Sequence, residues 1–133
     1  MATVTIKTNR TFSDLDLNFK LHPVKKDVNI LLNEIAISNS IKNLVLTNHY
    51  ERPFQPEVGS NIRRLLFDNL DAITTNIERE IRETVDNFEP RAKVHKVTAV
   101  AAPDQNGYKM KLEFFVLNNT SPITINFFLE RVR

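Results

Sequence analysis

At Pro90 the spacing of apolar residues along this 133-residue chain changes from about every fourth position to every second, which restricts the fold to helices followed by strands. Upstream, Ile73, Ile77, Ile81, Val85 and Phe88 mark one face of a helix. Downstream, Tyr108, Met110, Leu112, Phe114 and Val116 alternate with Lys109, Lys111 and Glu113; Ile123, Ile125, Phe127 and Leu129 alternate with Thr124, Asn126 and Glu130. Proline cannot continue a helix, so Glu89 and Arg91 are pinned at the junction.

Ala92 to Ala101 supplies a further strand, and Asp104-Gln105-Asn106-Gly107 and Asn118 to Pro122 are the turns between strands. These connections are too short for a helical crossover, so the strands are expected to be antiparallel neighbours. The chain therefore reads as one α+β domain over 1–133, with N-terminal helices packed on one face of a small antiparallel C-terminal β-meander. Residues 1–26 form an irregular segment with a short strand, 27–88 the helical layer and 92–132 the meander.

In the first section Leu15, Leu17 and Phe19 alternate with polar residues as a short strand would. Asp27 is a plausible N-cap for a helix from about Val28 to Leu44, with Val28, Leu31, Leu32, Ile35, Ala36 and Ile41 as its apolar stripe. Pro53, Pro56 and Gly59 make Thr47 to Ser60 a restricted loop. Ser60 or Asn61 can cap a short helix through Ile62, Leu65, Leu66 and Phe67, and Asp71 a longer one. Glu78 with Arg82, and Arg79 with Glu83, are ion pairs on the wet side of that longer helix.

The chain has no cysteine, which removes disulfides, thiolate nucleophiles and zinc-thiolate sites. His22, His49 and His95 fall in separate sections without metal-ligand spacing, so neither a metal nor a cofactor is expected. Two glycines cannot build a phosphate-cradling loop. Eighteen basic residues are interleaved with sixteen acidic ones, so Arg63-Arg64 and the Lys93, Lys96, Lys109 and Lys111 set read as solvated faces rather than a nucleic-acid stripe. Apolar runs are short and the start has no leader, which predicts a soluble, unexported protein without a membrane partner.

Catalysis has little to work with. Among the acids, Glu51, Glu57 and Glu89 lie in proline-restricted contexts, but Arg52 and Arg91 stand beside two of them and would lower a pKa where a glycosidase needs one raised. No catalytic residue is assigned. The end of the sheet is more informative: Phe115 and Leu117, then Phe128 and Val132, interrupt the polar face. Either the N-terminal segment covers this face or a partner does, by packing on it or adding a strand; the absence of proline in the last strand favours strand addition.

Four segments in order carry a resemblance: Phe12-Ser13-Asp14-Leu15-Asp16; Ile41 to Thr47; Glu51-Arg52-Pro53-Phe54-Gln55-Pro56-Glu57-Val58-Gly59-Ser60 with Leu65-Leu66-Phe67; and Phe88-Glu89-Pro90-Arg91. Together they resemble the GPW/gene-25-like baseplate wedge family of contractile-tailed phages, most nearly its T-even-type myophage members, and the family includes TssE, the sheath initiator of type VI secretion. The resemblance implies a non-enzymatic structural protein of the virion tail baseplate, assembled in the host cytoplasm, which joins the wedge and starts sheath polymerisation. It implies that Glu89, Pro90 and Arg91 dock on the helical core bundle of neighbouring wedge subunits. The loop residues Glu51, Arg52, Pro53, Pro56 and Gly59 would form a separate partner-binding element. Strand addition by the tail sheath protein would involve Ile123, Ile125, Phe127, Phe128 and Leu129, and tail tube neighbours would lie nearby. Family members often have glycine immediately before the Glu-Arg pair; here the turn reads Asn48-His49-Tyr50, and Asn48 is the residue expected to take a left-handed backbone. Some members have been labelled lysozyme-like, so a tail-associated peptidoglycan hydrolase is the alternative.

Overall fold

The computed structural model describes residues 12–67, 70–117 and 119–131. Strands β1 (Ser13–Leu15) and β2 (Ile30–Leu32) form a small antiparallel sheet, followed by helices α1 (Asn33–Leu46), α2 (Ile62–Leu65) and α3 (Leu70–Phe88). Beyond Pro90 come β3 (Ala92–Ala102), β4 (Gly107–Val116) and β5 (Ile123–Glu130), antiparallel in the order β3-β4-β5. The α+β architecture and the meander agree with the sequence; Val132, Asn118 and residues 1–11 lie outside the described residues.

The core lies between the helices and one face of this sheet. Ile73, Ile77, Ile81 and Val85 of α3 meet Val97, Met110, Leu112 and Phe114, all at most 7% exposed. Each such side chain contributes roughly 1.5–3 kcal/mol by leaving water. From α1 the core takes Ile37, Ile41 and Val45, and from α2 Ile62.

The first helix begins later than its spacing suggested. Ile30-Leu31-Leu32 is a strand, because Asn33 adopts a left-handed φ of 48° and ties back to Phe12, donating its N–H to the Phe12 carbonyl and accepting the Phe12 N–H on Oδ1. Asp27 caps no helix; its carboxylate accepts the Val28 N–H inside the hairpin. Ala36 and Ile41 are buried as expected, but Leu32 and Ile35 are exposed and Ile37, Leu44 and Val45 take their places. The first strand is also shorter: the Phe19 N–H bonds to the Asp16 carbonyl and turns the chain, leaving Leu17 and Phe19 exposed. Asp71 falls inside α3 instead of capping it.

One predicted ion pair, Arg79 with Glu83, is present at 4.0 Å on the exposed surface. The Glu78 to Arg82 pair does not form, because both side chains turn to β3: Glu78 Oε1 accepts the Ala99 N–H at 2.8 Å and Arg82 Nη2 donates to the His95 carbonyl at 3.5 Å. Helix α3 thus partly satisfies the outer backbone groups of one edge strand. The opposite edge, β5, has no strand beside it among the described residues. Arg131 N–H donates to the Asn106 carbonyl, which fixes the phase of the ladder: alternate residues bond β4, and Thr124, Asn126, Phe128 and Glu130 direct their backbone groups outward. Of the five residues expected to meet the sheath, Ile123, Ile125, Phe127 and Leu129 turn their backbone groups to β4, and only Phe128 turns its own away from it.

Lys93, Lys96, Lys109 and Lys111 do share the outer sheet face, where Lys111 pairs with Glu113 at 2.9 Å and His95 packs edge-on against Phe115. At the β3–β4 turn Asn106 takes a left-handed φ of 51°, and Gly107 passes so close to β5 that a Cβ would sit 2.4 Å from the Leu129 carbonyl oxygen. Gly107→Ala is therefore expected to cost at least about 2 kcal/mol, the scale of an overpacked site, read as a fall in denaturation midpoint. An unchanged midpoint would show that β5 yields easily there.

Candidate partner-docking site

Helix α3 ends with Glu89 N–H still bonded to the Val85 carbonyl, and Pro90 then turns the chain into β3. This geometry folds the Arg91 side chain back on Glu89. Arg91 Nε and Nη2 donate to the two carboxylate oxygens of Glu89 at 2.6 and 2.8 Å. Nη1 and Nη2 also donate to the Asp14 carboxylate, both at 3.2 Å, from a residue 77 positions away. The Ser40 hydroxyl of α1 donates to Glu89 Oε2, and the guanidinium lies 5.7 Å from the centre of the Phe12 ring.

Glu89 is 2% exposed, so its charge survives only because these donors surround it. Burial pushes its carboxyl upward, but the Arg91 guanidinium and the Ser40 hydroxyl outweigh that and hold it below the usual carboxylate range. Bonding to Glu89 first, and then to Asp14, raises Arg91 further above its ordinary value against the opposing effect of burial. Four guanidinium bonds are made within the chain, leaving Arg91 few donors for a partner. Its first role is internal: it ties β1 to the α3–β3 junction, while Glu89 ties that junction to α1.

The same corner forms one wall of a cleft of about 760 Å³. Leu15 and Leu17 line another wall, Asn39 and Asn43 of α1 the floor, and Arg52, Gln55 and Val58 the loop side. Folding therefore unites two groups of residues that the sequence suggested separately, the Glu89–Arg91 corner and the loop after Glu51. Within the loop the roles divide. Arg52, Pro53 and Pro56 are exposed, whereas Gly59 is buried at φ 139°, with no room for a Cβ against the Thr47 and Asn48 backbone. Glu51 accepts the Asn48 N–H at 2.9 Å and its side-chain amide at 2.8 Å, bonds that, with Arg63 at 3.9 Å, lower its pKa; Arg52 is not the cause.

The left-handed residue of this turn is Tyr50, at φ 69°, not Asn48. Tyr50 thus adopts the conformation at the position where glycine is frequent in the resembled family, and its ring is 85% exposed. Sequence reasoning also missed Asp14 and Ser40. Asp14 lies in the segment Phe12 to Asp16, but nothing in its neighbourhood announces a partner so far along the chain. The three histidines are apart: His22 accepts the Val24 and Lys25 N–H groups, His49 N–H donates to the Ser60 carbonyl and His95 packs edge-on against Phe115.

Replacing Glu89 with Gln should cost about 2–3 kcal/mol, because Arg91 and Ser40 lose a charged acceptor in a buried setting. Since folding lowers the Glu89 pKa, its contribution is complete above the ordinary value of 4.5 and is lost as pH falls through the lower folded value. Wild-type stability should therefore drop below pH 4.5 more steeply than that of Glu89→Gln, as measured by chemical denaturation at several pH values. Parallel curves would exclude Glu89 as the group responsible.

Known proteins share this sequence and fold. The family model described as baseplate wedge protein gp25 matches residues 22–119. Baseplate wedge protein gp25 of Enterobacteria phage T4 is 32% identical over 116 residues, covering 86% of this chain and 87% of that protein. The anti-feeding prophage baseplate contains a chain that superposes with a TM-score of 0.72 at 20% identity, over 83% of this chain and 89% of its own. A provisionally assigned tail lysozyme from Geobacter sulfurreducens superposes with a TM-score of 0.68 at 22% identity, over 73% of this chain and 89% of its own. At those identities the two structures speak for the fold alone. The family match and the T4 relative decide membership: this chain belongs to the baseplate wedge protein gp25 family.

Proposed function

We propose that this chain is a structural component of a contractile-tail baseplate wedge, that it docks on neighbouring wedge subunits through the cleft beside Glu89-Pro90-Arg91, and that it starts sheath assembly through the open edge of β5. Supporting the docking site is the convergence of the corner and the Arg52 loop on one cleft. In this reading Glu89 and Arg91 set the shape of the wall, and Pro90, which is exposed, meets the partner with little further ordering. Arg52 stands exposed at the cleft with no carboxylate in ion-pair range among the described residues, so it is the cation available to a partner's carboxylates or helix-end carbonyls. Arg52→Glu should leave the melting temperature within a degree or two yet reduce incorporation into wedges at least tenfold in an in vitro assembly assay. Normal incorporation would remove the cleft from consideration.

At the other end, α3 side chains occupy part of the β3 edge, while Thr124, Asn126, Phe128 and Glu130 turn outward along β5 backbone groups that have no strand partner among the described residues. An added sheath strand would continue the meander by main-chain bonds. Asn126→Pro removes one outward N–H without touching the bonds to β4, so the fold should persist while sheath attachment fails. A folded variant that still nucleates sheath, viewed by electron microscopy, would count against strand addition. The hydrolase alternative draws no support from the carboxylates: Glu89 and Glu51 are both held below the usual range, opposite to what a general acid needs.

A further inference from the structure

We infer that the outward face of the β1–β2 hairpin is a second docking surface, and that its occupant is an amphipathic helix of a partner protein with an apolar stripe flanked by carboxylates. Leu15, Leu17, Phe19, Ile30, Leu32 and Ile35 are between 55% and 70% exposed, a concentration of large apolar surface unusual within some twenty residues of a folded chain. The ladder gathers Leu15, Ile30 and Leu32, and Leu17 and Phe19 lie in the turn that follows β1. Leu15 stands opposite Ile30, Leu32 lies two residues further along the same face, and Ile35 follows one helical turn later. Asp14 and Leu31 alternate to the other face, where Asp14 meets Arg91. That bond holds the hairpin with its apolar side outward.

Charge selects the partner. The hairpin's acids are engaged at home: Asp14 by Arg91, Asp16 by Asn18, Asp27 by the Val28 N–H, and Glu34, at the start of α1, by Asn119. Lys20, Lys25 and Lys26 are exposed, and none has a carboxylate in ion-pair range among the described residues. An apolar face on a hairpin that also carries these lysines is complementary to apolar residues flanked by Glu or Asp. Strands of three residues give a face about 10 Å long, the width of one helix with its side chains. Leu15 and Leu17 also line the cleft, so this surface is continuous with the docking site and rests on that reading.

A photo-crosslinking residue, p-benzoylphenylalanine, placed at Ile30 and separately at Leu32 tests this in wedges assembled from the full chain and the purified wedge proteins of the same phage. Sequencing of the captured peptide is expected to show one segment with apolar residues at helical spacing flanked by acids. Its yield should fall at least fivefold in the Lys20→Glu, Lys25→Glu, Lys26→Glu variant, whose melting temperature serves as the folding control. Capture of a second copy of this chain, of a peptide without flanking acids, or of nothing would overturn the inference. So would a yield indifferent to the lysines, or firm binding of the free protein to phosphatidylglycerol vesicles that depends on Leu32. Arg52→Glu in the same assay separates the two readings: normal incorporation of that variant refutes the cleft, while the identity of the peptide captured at Ile30 still decides the hairpin.

Discussion

The fork between Arg91 and the buried Glu89 is the contact on which the remaining geometry depends. A carboxylate that is 2% exposed would be strongly unfavourable if unpaired, and Arg91 reaches it only because Pro90 ends α3 and reverses the chain within two residues. Once formed, the fork has an unused edge, and Asp14 fills it from the far end of the chain. Ser40 adds α1 to the same group. The backbone around it continues the function, since the Ala92 N–H bonds to the Glu89 carbonyl and the Leu117 N–H to that of Arg91. Helix, sheet and hairpin are registered to one another at a single point.

From that point the molecule acquires two unlike ends. Near the fork, side chains form one wall of a cleft, and the charges of Glu89, Arg91 and Asp14 are already satisfied there, so the wall presents shape and a few free groups instead of a bare ion pair. At the far side of the sheet the opposite holds: the outward backbone groups of β5 have no strand partner among the described residues, while those of β3 are partly taken by Glu78 and Arg82. The asymmetry is physical in origin. Helix α3 is long and crosses β3 with polar side chains at its margin, whereas α1 approaches β5 near its C-terminal end, where Val45 and Leu46 border a cleft with Phe128 and Leu129.

Much of this was legible in the sequence where one periodicity had no competitor. The isoleucine ladder of α3 and the alternation of β4 and β5 admit one reading each; the strands match the structure to within a residue, and α3 ends at Phe88 as read but starts at Leu70, ahead of its expected cap Asp71. Between Val28 and Ile35 two readings competed, since apolar residues at 28, 31, 32, 35 and 36 suit a helix while Ile30-Leu31-Leu32 suits a strand. Asn33 decided it by taking a left-handed turn, a choice driven by its bonds to Phe12, which no local pattern reveals. The corner itself was visible as Glu-Pro-Arg; its saturation by Asp14 and Ser40 was not, because both arrive through tertiary folding.

The loop after α1 shows how rigidity and exposure are reconciled. Tyr50 holds φ 69°, a conformation costing a non-glycine residue on the order of 1–3 kcal/mol, and such strain persists only where neighbouring contacts over-determine the backbone. Here they do: the Tyr50 N–H bonds to the Pro56 carbonyl, Glu51 grips Asn48 twice, and Gly59 packs against Thr47 and Asn48 without space for a side chain. None of these contacts buries the aromatic rings, and Tyr50 and Phe54 remain 85% and 97% exposed. A backbone fixed at this cost would lose little further conformational entropy if its exposed rings were covered. The same logic governs the corner, where the internal ion pair adds little affinity of its own but fixes the surface on which affinity can be built.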